Sequence, residues 1–253
     1  MLRINCRSQL AHFRHICRNI YVYLNGNKEL LEVPIEICTN PLGFSFGKQG
    51  WHYLIETLKQ YDACAGLKLR DSVLFQYHQH YQPISMFDLV SHKSNLIKFR
   101  SAIFVFPWGD FTVVGQERGA APKNQFASRF CGPSSVDLIE ADFHNLINLY
   151  NDIKERGYRP WSKRGGFIGG TLLVRNDGIA RYVVLQGNHR MAILSHLGID
   201  QVLTRYIRGN LRLVSEDNVN DWYYVKIGAC SIQDALAYFN VFFEINGTER
   251  AIK

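Results

Sequence analysis

Residues Val183-Val184-Leu185-Gln186-Gly187-Asn188-His189-Arg190-Met191-Ala192-Ile193-Leu194-Ser195-His196-Leu197-Gly198 decide how this chain is read. The apolar run Val183–Leu185 predicts a buried strand, Gly187 a tight turn, and Arg190–Leu197 a short helix that Gly198 stops. A glycine in the turn lets the backbone approach a ligand closely. A helix beginning just beyond it presents unpaired N–H groups and the positive end of its dipole. That geometry suits an anion, phosphate above all, and His189 and Arg190 add basic side chains at the same place.

Working outward, Thr171–Arg175 and Ile179–Leu185 read as two strands joined through Asn176-Asp177-Gly178, a hairpin signal. Val202–Ile207 reads as a further strand. Upstream, Ile139, Phe143, Leu146, Ile147, Tyr150 and Ile153 form an apolar stripe at helical period. Ser134 or Ser135 caps that helix and Gly157 stops it. Gly165-Gly166 and Gly169-Gly170 read either as a flexible connection into the hairpin or as a phosphate-cradling loop beside Lys163 and Arg164; no Gly-Lys-Ser/Thr follows them.

In the N-terminal half, Ile20–Leu24 and the turn Asn25-Gly26-Asn27 predict a strand, with Leu31–Cys38 as its partner. Helices are expected over Trp51–Tyr61 and Asp71–Tyr81, and a strand ending in a turn over Phe104–Asp110. Residues 115–135 predict a long loop carrying Lys123 and Arg129, either solvated or in contact with phosphate. Near the C-terminus, Trp222–Ile227 reads as a strand, and Ser231 caps a helix through Phe242. His78 and His80 share a face only on a strand; in the helix expected here they do not, which argues against a metal site.

With 253 residues, 47% hydrophobic and 20% charged, the chain is long and apolar enough for a sizeable core. No apolar run approaches the roughly 18 residues of a membrane span. The formal charge of +7 fits nucleotides, phosphorylated substrates, nucleic acid, an anionic membrane or simply a basic surface. Six cysteines without a Cys-x-x-Cys spacing read as reduced thiols of a cytoplasmic protein. Four segments are expected: 1–24, basic and amphipathic; 25–131, α+β; a module over 132–208; and a strand–helix extension over 209–253. Arg3, Arg7, Arg14 and Arg18 share a helical face in the first segment. It reads as a helix docked on its own domain, a peripheral contact with the inner membrane, or a transit peptide. The fold class is α+β, a small mixed sheet with surrounding helices packed on the N-terminal region.

Gly157-Tyr158-Arg159-Pro160, Asp177-Gly178 and Gln186-Gly187-Asn188-His189-Arg190, followed by Ala192, Leu197 and Gly198, together resemble the ParB/sulfiredoxin superfamily over residues 132–208. That resemblance implies nucleotide binding at the turn, as CTP in partition proteins and as adenine nucleotides in sulfiredoxins and free-serine kinases. Carried over by position, Gly187, Asn188, His189 and Arg190 hold the phosphates. The departures also count. Asn188 stands where sulfiredoxins carry the catalytic cysteine, which argues against their chemistry. About 45 residues follow Ile207, too few for the DNA-binding and dimerisation domains of partition proteins. Gln186 and Asn188 replace the Asp and first His of the kinases' Asp-Gly-His-His-Arg. A second resemblance, through Tyr61–Leu89 with Tyr77, Tyr81, Gln82 and Pro83, Phe106-Pro107-Trp108 and Gly132-Pro133-Ser134, is to a bacterial group whose genes accompany surface-polysaccharide biosynthesis.

The resulting expectation is a nucleotide-dependent phosphotransferase that uses ATP, ADP or CTP with Mg²⁺ and acts on a small-molecule or sugar acceptor. Gly187, Asn188, His189 and Arg190 bind phosphate, and no resident metal site is expected. Glu140 and Asp142 are the candidate carboxylates for general base or Mg²⁺ ligand. Glu140 is taken as the catalytic base, with His189 beside it. A non-catalytic nucleotide-sensing module and a nucleic-acid-binding or nuclease protein are the other classes. The absence of a recognisable helix-turn-helix weighs against sequence-specific DNA binding.

Overall fold

The computed structural model describes residues 30–64, 66–82, 106–109, 131–161, 166–207 and 210–252. The basic segment 1–24, the strand and turn expected at 20–27, and the loop residues Lys123, Arg129, Lys163 and Arg164 lie outside these. So do Phe104, Val105 and Asp110; Phe106–Gly109 form a turn closed by Gly109 N–H donating to the Phe106 carbonyl (2.9 Å).

Fold class is α+β, with one mixed sheet. Its strands are β1 (Leu30–Pro34), β2 (Cys38–Thr39), β3 (Ile168–Val174), β4 (Ala180–Gln186), β5 (Gln201–Tyr206) and β6 (Leu213–Ser215). The order is β1-β5-β3-β4-β2, with β6 pairing β3 beyond β5. The β3–β4 hairpin is antiparallel and turns at Asp177-Gly178, where Asp177 Oδ1 accepts the Ile179 N–H (2.9 Å) and Gly178 takes φ +83°. The Leu31–Cys38 segment breaks in two at the 3-10 turn Ile35–Ile37. Its first half pairs antiparallel with β5 and its second half parallel with β4. Both edges of the main sheet path therefore come from the N-terminal region.

β3 is buried from Ile168 through Leu173 and is paired on both edges, by β4 on one side and by β5 and β6 on the other. Its register shifts between Gly169 and Gly170, and at Gly170 the Tyr182 ring and the Val183 carbonyl come too close for any side chain. Six helices surround the sheet among the described residues: α1 (Tyr53–Ala63), α2 (Val73–His80), α3 (Val136–Arg156), α4 (Asn188–His196), α5 (Tyr223–Lys226) and α6 (Ile232–Glu244). Capping explains their starts. Ser72, Ser135 and Ser231 each accept a backbone N–H from their helix's first turn, and the His52 ring does so for α1. α3 buries Ile139, Asp142, Phe143, Leu146, Ile147, Tyr150 and Ile153 on one face, and Gly157 ends it at φ +75°.

The expected strand at Trp222–Ile227 is instead the single helical turn α5. Its aromatic and β-branched residues favour a strand, yet the backbone closes on itself, with Lys226 N–H donating to the Trp222 carbonyl (2.8 Å). Trp222 is held at this position by Trp108 (5.5 Å) and Phe239 (5.3 Å). α4 likewise begins two residues earlier than read from sequence, at Asn188.

A single core joins all of these elements. At its N-terminal side, Phe44, Trp51, Tyr53, Tyr77 and Tyr81 pack as an aromatic cluster. Arg250 closes it, lying 3.9 Å over the Phe44 ring and donating to the Leu42 carbonyl (2.7 Å) and the Tyr81 hydroxyl (3.0 Å). Asp62 at the end of α1 ties α3 and α4 together: it accepts from Tyr150 (2.7 Å) and Lys154 (3.2 Å) and meets His196 Nε2 at 2.7 Å. Those bonds, Tyr150's foremost, hold its carboxyl down to about 2 against the opposing effect of partial burial. Among the described residues no helix is long and apolar enough to cross a membrane.

Substituting Gly170→Ala should lower the unfolding free energy by about 3 kcal/mol, since an added methyl here meets backbone and a packed ring. Gly66→Ala, with nothing within 4 Å of the added carbon, should change it by less than about 0.5 kcal/mol. Urea titration of the two variants checks the difference.

Candidate functional site

β4 ends at Gln186 and the chain reverses at Gly187, which takes φ +89°, ψ +29°. A β-carbon there would lie 2.9 Å from Arg190 Nη2 and 3.1 Å from Ile168 Cγ1. Glycine is thus required both for the left-handed backbone and for the approach of Arg190. No side chain caps α4, and its first intrahelical bond runs from Met191 N–H to the Gly187 carbonyl (2.9 Å). The N–H groups of Asn188 and His189 precede that bond and face the turn. Asn188 Nδ2 donates to the Val184 carbonyl (3.3 Å), while its Oδ1 is buried with no partner among the described residues.

Arg190 is held rather than loose. Nη1 donates to the Gly166 carbonyl, and the guanidinium also bonds the Tyr158 hydroxyl. Tyr158 in turn accepts the Ile168 N–H (3.3 Å). Burial pulls Arg190 below the usual guanidinium range, opposed by Tyr158; burial pushes the Tyr158 hydroxyl up, opposed by Arg190. Tyr158 and Gly166 therefore meet at Arg190. Gly166 acts through its carbonyl, which supports the arginine.

His189 Nε2 lies 3.2 Å from Asp142 Oδ2, and Asp142 is only 7% exposed. Glu140, expected as the base, is exposed and meets His144 of its own helix at 3.8 Å. Two residues apart on a helix, Glu140 and Asp142 point about 200° apart. The structure brings Asp142, not Glu140, to His189. The signal was present in sequence: Asp142 is a carboxylate at a position of the apolar stripe, between Ile139 and Phe143.

Two further histidines surround this pair, and neither was read as a site residue. His78 is 2% exposed, and its Nδ1 lies 3.3 Å from Ser134 Oγ. Ser134 Oγ also lies within hydrogen-bond reach of the Cys131 carbonyl (3.1 Å). The Nε2 of His78 is buried without a partner among the described residues. Burial holds His78 down to about 4, against the charge of Asp142. In His52, Nδ1 accepts the Leu54 N–H (3.2 Å), which leaves the proton on Nε2, also unpartnered among the described residues. Burial keeps His52 well below its ordinary value, and His189 and Arg250 act in the same direction. The helix placement of His78 and His80 is as expected, one inward and one exposed.

Chemically, the arrangement offers an uncapped helix start with an immobilised arginine, and next to it a histidine oriented by a buried carboxylate. Among the described residues no three His, Cys, Asp or Glu side chains gather to hold a metal. No family model, curated protein or solved structure matches this chain.

A histidine kept neutral in the fold takes up a proton on unfolding once the pH is below 6.5. The native state therefore loses stability as pH falls from 6.5 towards 4, and is unaffected by this group above 6.5. For His78 the loss should reach about 3 kcal/mol across that window, with His52 adding in the same sense. His78→Gln should flatten the slope of unfolding free energy against pH, and the exposed His80→Gln should leave it unchanged; denaturant titrations at pH 7.5, 6, 5 and 4.5 check both.

Proposed function

We propose that this chain is a nucleotide-dependent phosphotransferase acting on a hydroxyl of a small-molecule or sugar acceptor. The observation that carries the proposal is the convergence of the uncapped α4 start and the Arg190 guanidinium on Gly187, whose φ of +89° no other residue adopts without strain. Backbone N–H groups at Asn188 and His189 and the guanidinium of Arg190 bind the phosphates by charge-assisted hydrogen bonds. A nucleoside triphosphate or diphosphate (ATP, ADP or CTP) held there with Mg²⁺ would supply the transferred phosphoryl group.

Asp142 holds His189 through Nε2. That leaves Nδ1 of the ring to take the proton of the attacking hydroxyl, the role first assigned to Glu140. The negative charge of Asp142 stabilises the imidazolium so formed. The resemblance to a group associated with surface-polysaccharide genes supports a sugar or other polyol as the acceptor.

Thermal unfolding against ATP, ADP, CTP, GTP and UTP, with and without Mg²⁺, tests the binding half. Ligand at a hundred times its dissociation constant stabilises by about 2.7 kcal/mol, so Tm should rise by roughly 5–10 °C for the preferred nucleotide. Arg190→Ala should abolish the rise while keeping the far-ultraviolet circular dichroism of the wild type. A Tm indifferent to every nucleotide would sink the proposal.

For the chemical half, Asp142→Asn should lower kcat by roughly 10²–10⁴-fold with nucleotide affinity retained. Phosphoryl transfer to candidate polyols, followed with labelled nucleotide, provides the readout. Selective binding with no turnover on any acceptor would instead identify a nucleotide-sensing module.

A further inference from the structure

We infer that the indole of Trp161 is the stacking platform for the base of the bound nucleotide, which rests on the assignment of phosphate to Gly187–Arg190. Trp161 is 72% exposed, more than any other large hydrophobic side chain among the described residues; the next, Ile227 and Tyr223, reach 55% and 54%. Tryptophan is usually well covered in a folded protein, so an indole standing in solvent needs a reason.

Its position supplies one. The ring packs on Phe167, centroids 4.5 Å apart and planes at 88°. An edge-to-face contact of this kind leaves at least one indole face without a ring upon it. Phe167 sits between Gly166, whose carbonyl accepts from Arg190, and Ile168, whose N–H donates to Tyr158. Tyr158 lies three residues before Trp161 and also bonds Arg190. Two short segments, 158–161 and 166–168, are therefore clamped together twice, by Tyr158 on Ile168 and by Trp161 on Phe167. Arg190 is bound to both.

The chemistry matches a nucleotide. Such a ligand is an anion joined through a sugar to a flat aromatic ring. With its phosphates on Arg190, its base lies a sugar's length away, and the free indole face stands on the segment that holds that arginine. Base–aromatic stacking tolerates every base because each has a π-face. Trp161 thus contributes affinity for nucleosides as a class, and base choice comes from elsewhere.

The test compares ATP and CTP with inorganic tripolyphosphate, which has the charge and no ring, by isothermal titration of the full chain. Trp161→Ala should weaken the better-bound nucleotide roughly tenfold or more, leave tripolyphosphate unchanged and leave Tm close to wild type. Trp161→Phe should recover most of the lost affinity, and Arg190→Ala should weaken both ligands. Unchanged nucleotide affinity in Trp161→Ala, or equal losses for nucleotide and tripolyphosphate, would overturn the stacking role. Tripolyphosphate binding the wild type as tightly as ATP and CTP would overturn it too, with the anion site left standing. If none of the three binds the wild type, phosphate binding at Gly187–Arg190 fails and the platform fails with it.

Discussion

Strand β3 exchanges hydrogen bonds with β4 along one side and with β5 and then β6 along the other, and this is the constraint on which the molecule depends. Antiparallel pairing places the first residues of β3 beside the last residues of β4. Ile168 therefore reaches Gly187, and the Gly166 carbonyl, just ahead of β3, meets Arg190, just past Gly187. At the register shift Gly170 lets Tyr182 and the Val183 carbonyl close in on β3, and Gly169 does the same for the Ile207 side chain. A one-residue slip would turn every β4 side chain to the other face and separate the arginine from its support.

Helices α3 and α4 carry the second half of the site, and they are fastened at two places. Asp142 meets His189 near their N-terminal ends, and Asp62, bonded by Tyr150 of α3, meets His196 at the end of α4. Both contacts advance in the same sense along both chains, so the helices run side by side in parallel for about two turns. The two fastenings differ in character. Asp62 is substantially exposed, and solvent screens much of its attraction. Asp142 is enclosed, so solvent screens its contact with His189 far less.

What could be read from sequence was what is written locally. The hairpin at Asp177-Gly178, the apolar stripe of α3 and the Gly187 turn each announce themselves within a short stretch of chain, and each is present. Pairings between distant segments were not legible. The partners of Leu31–Cys38 among the described strands are β5 and β4, more than 140 residues later, and the partner expected for it at 20–24 lies outside the described residues. Which carboxylate meets His189 was illegible for a related reason. Glu140 and Asp142 differ little as residue types, and only the helix face, set by what α3 packs against, separates them. At 222–227, intrinsic strand preference lost to the anchoring of Trp222 between Trp108 and Phe239. His52 gave no signal, because its role follows from a cap and a stack on Phe46 at 4.4 Å.

The placement of β1 and β2 at opposite ends of the main strand path has a kinetic consequence. During synthesis these strands emerge first, yet β4 and β5, against which they lie, are made only after residue 180. For most of translation two short hydrophobic strands wait with unsatisfied backbone groups. The 168–206 sheet, when it appears, has two open edges until they dock. High sequence separation between paired strands slows folding, and exposed edges invite pairing with the wrong chain. The N-terminal strands thus serve as the closing pieces of the sheet, and production of this protein depends on keeping nascent chains apart until the last third has been made.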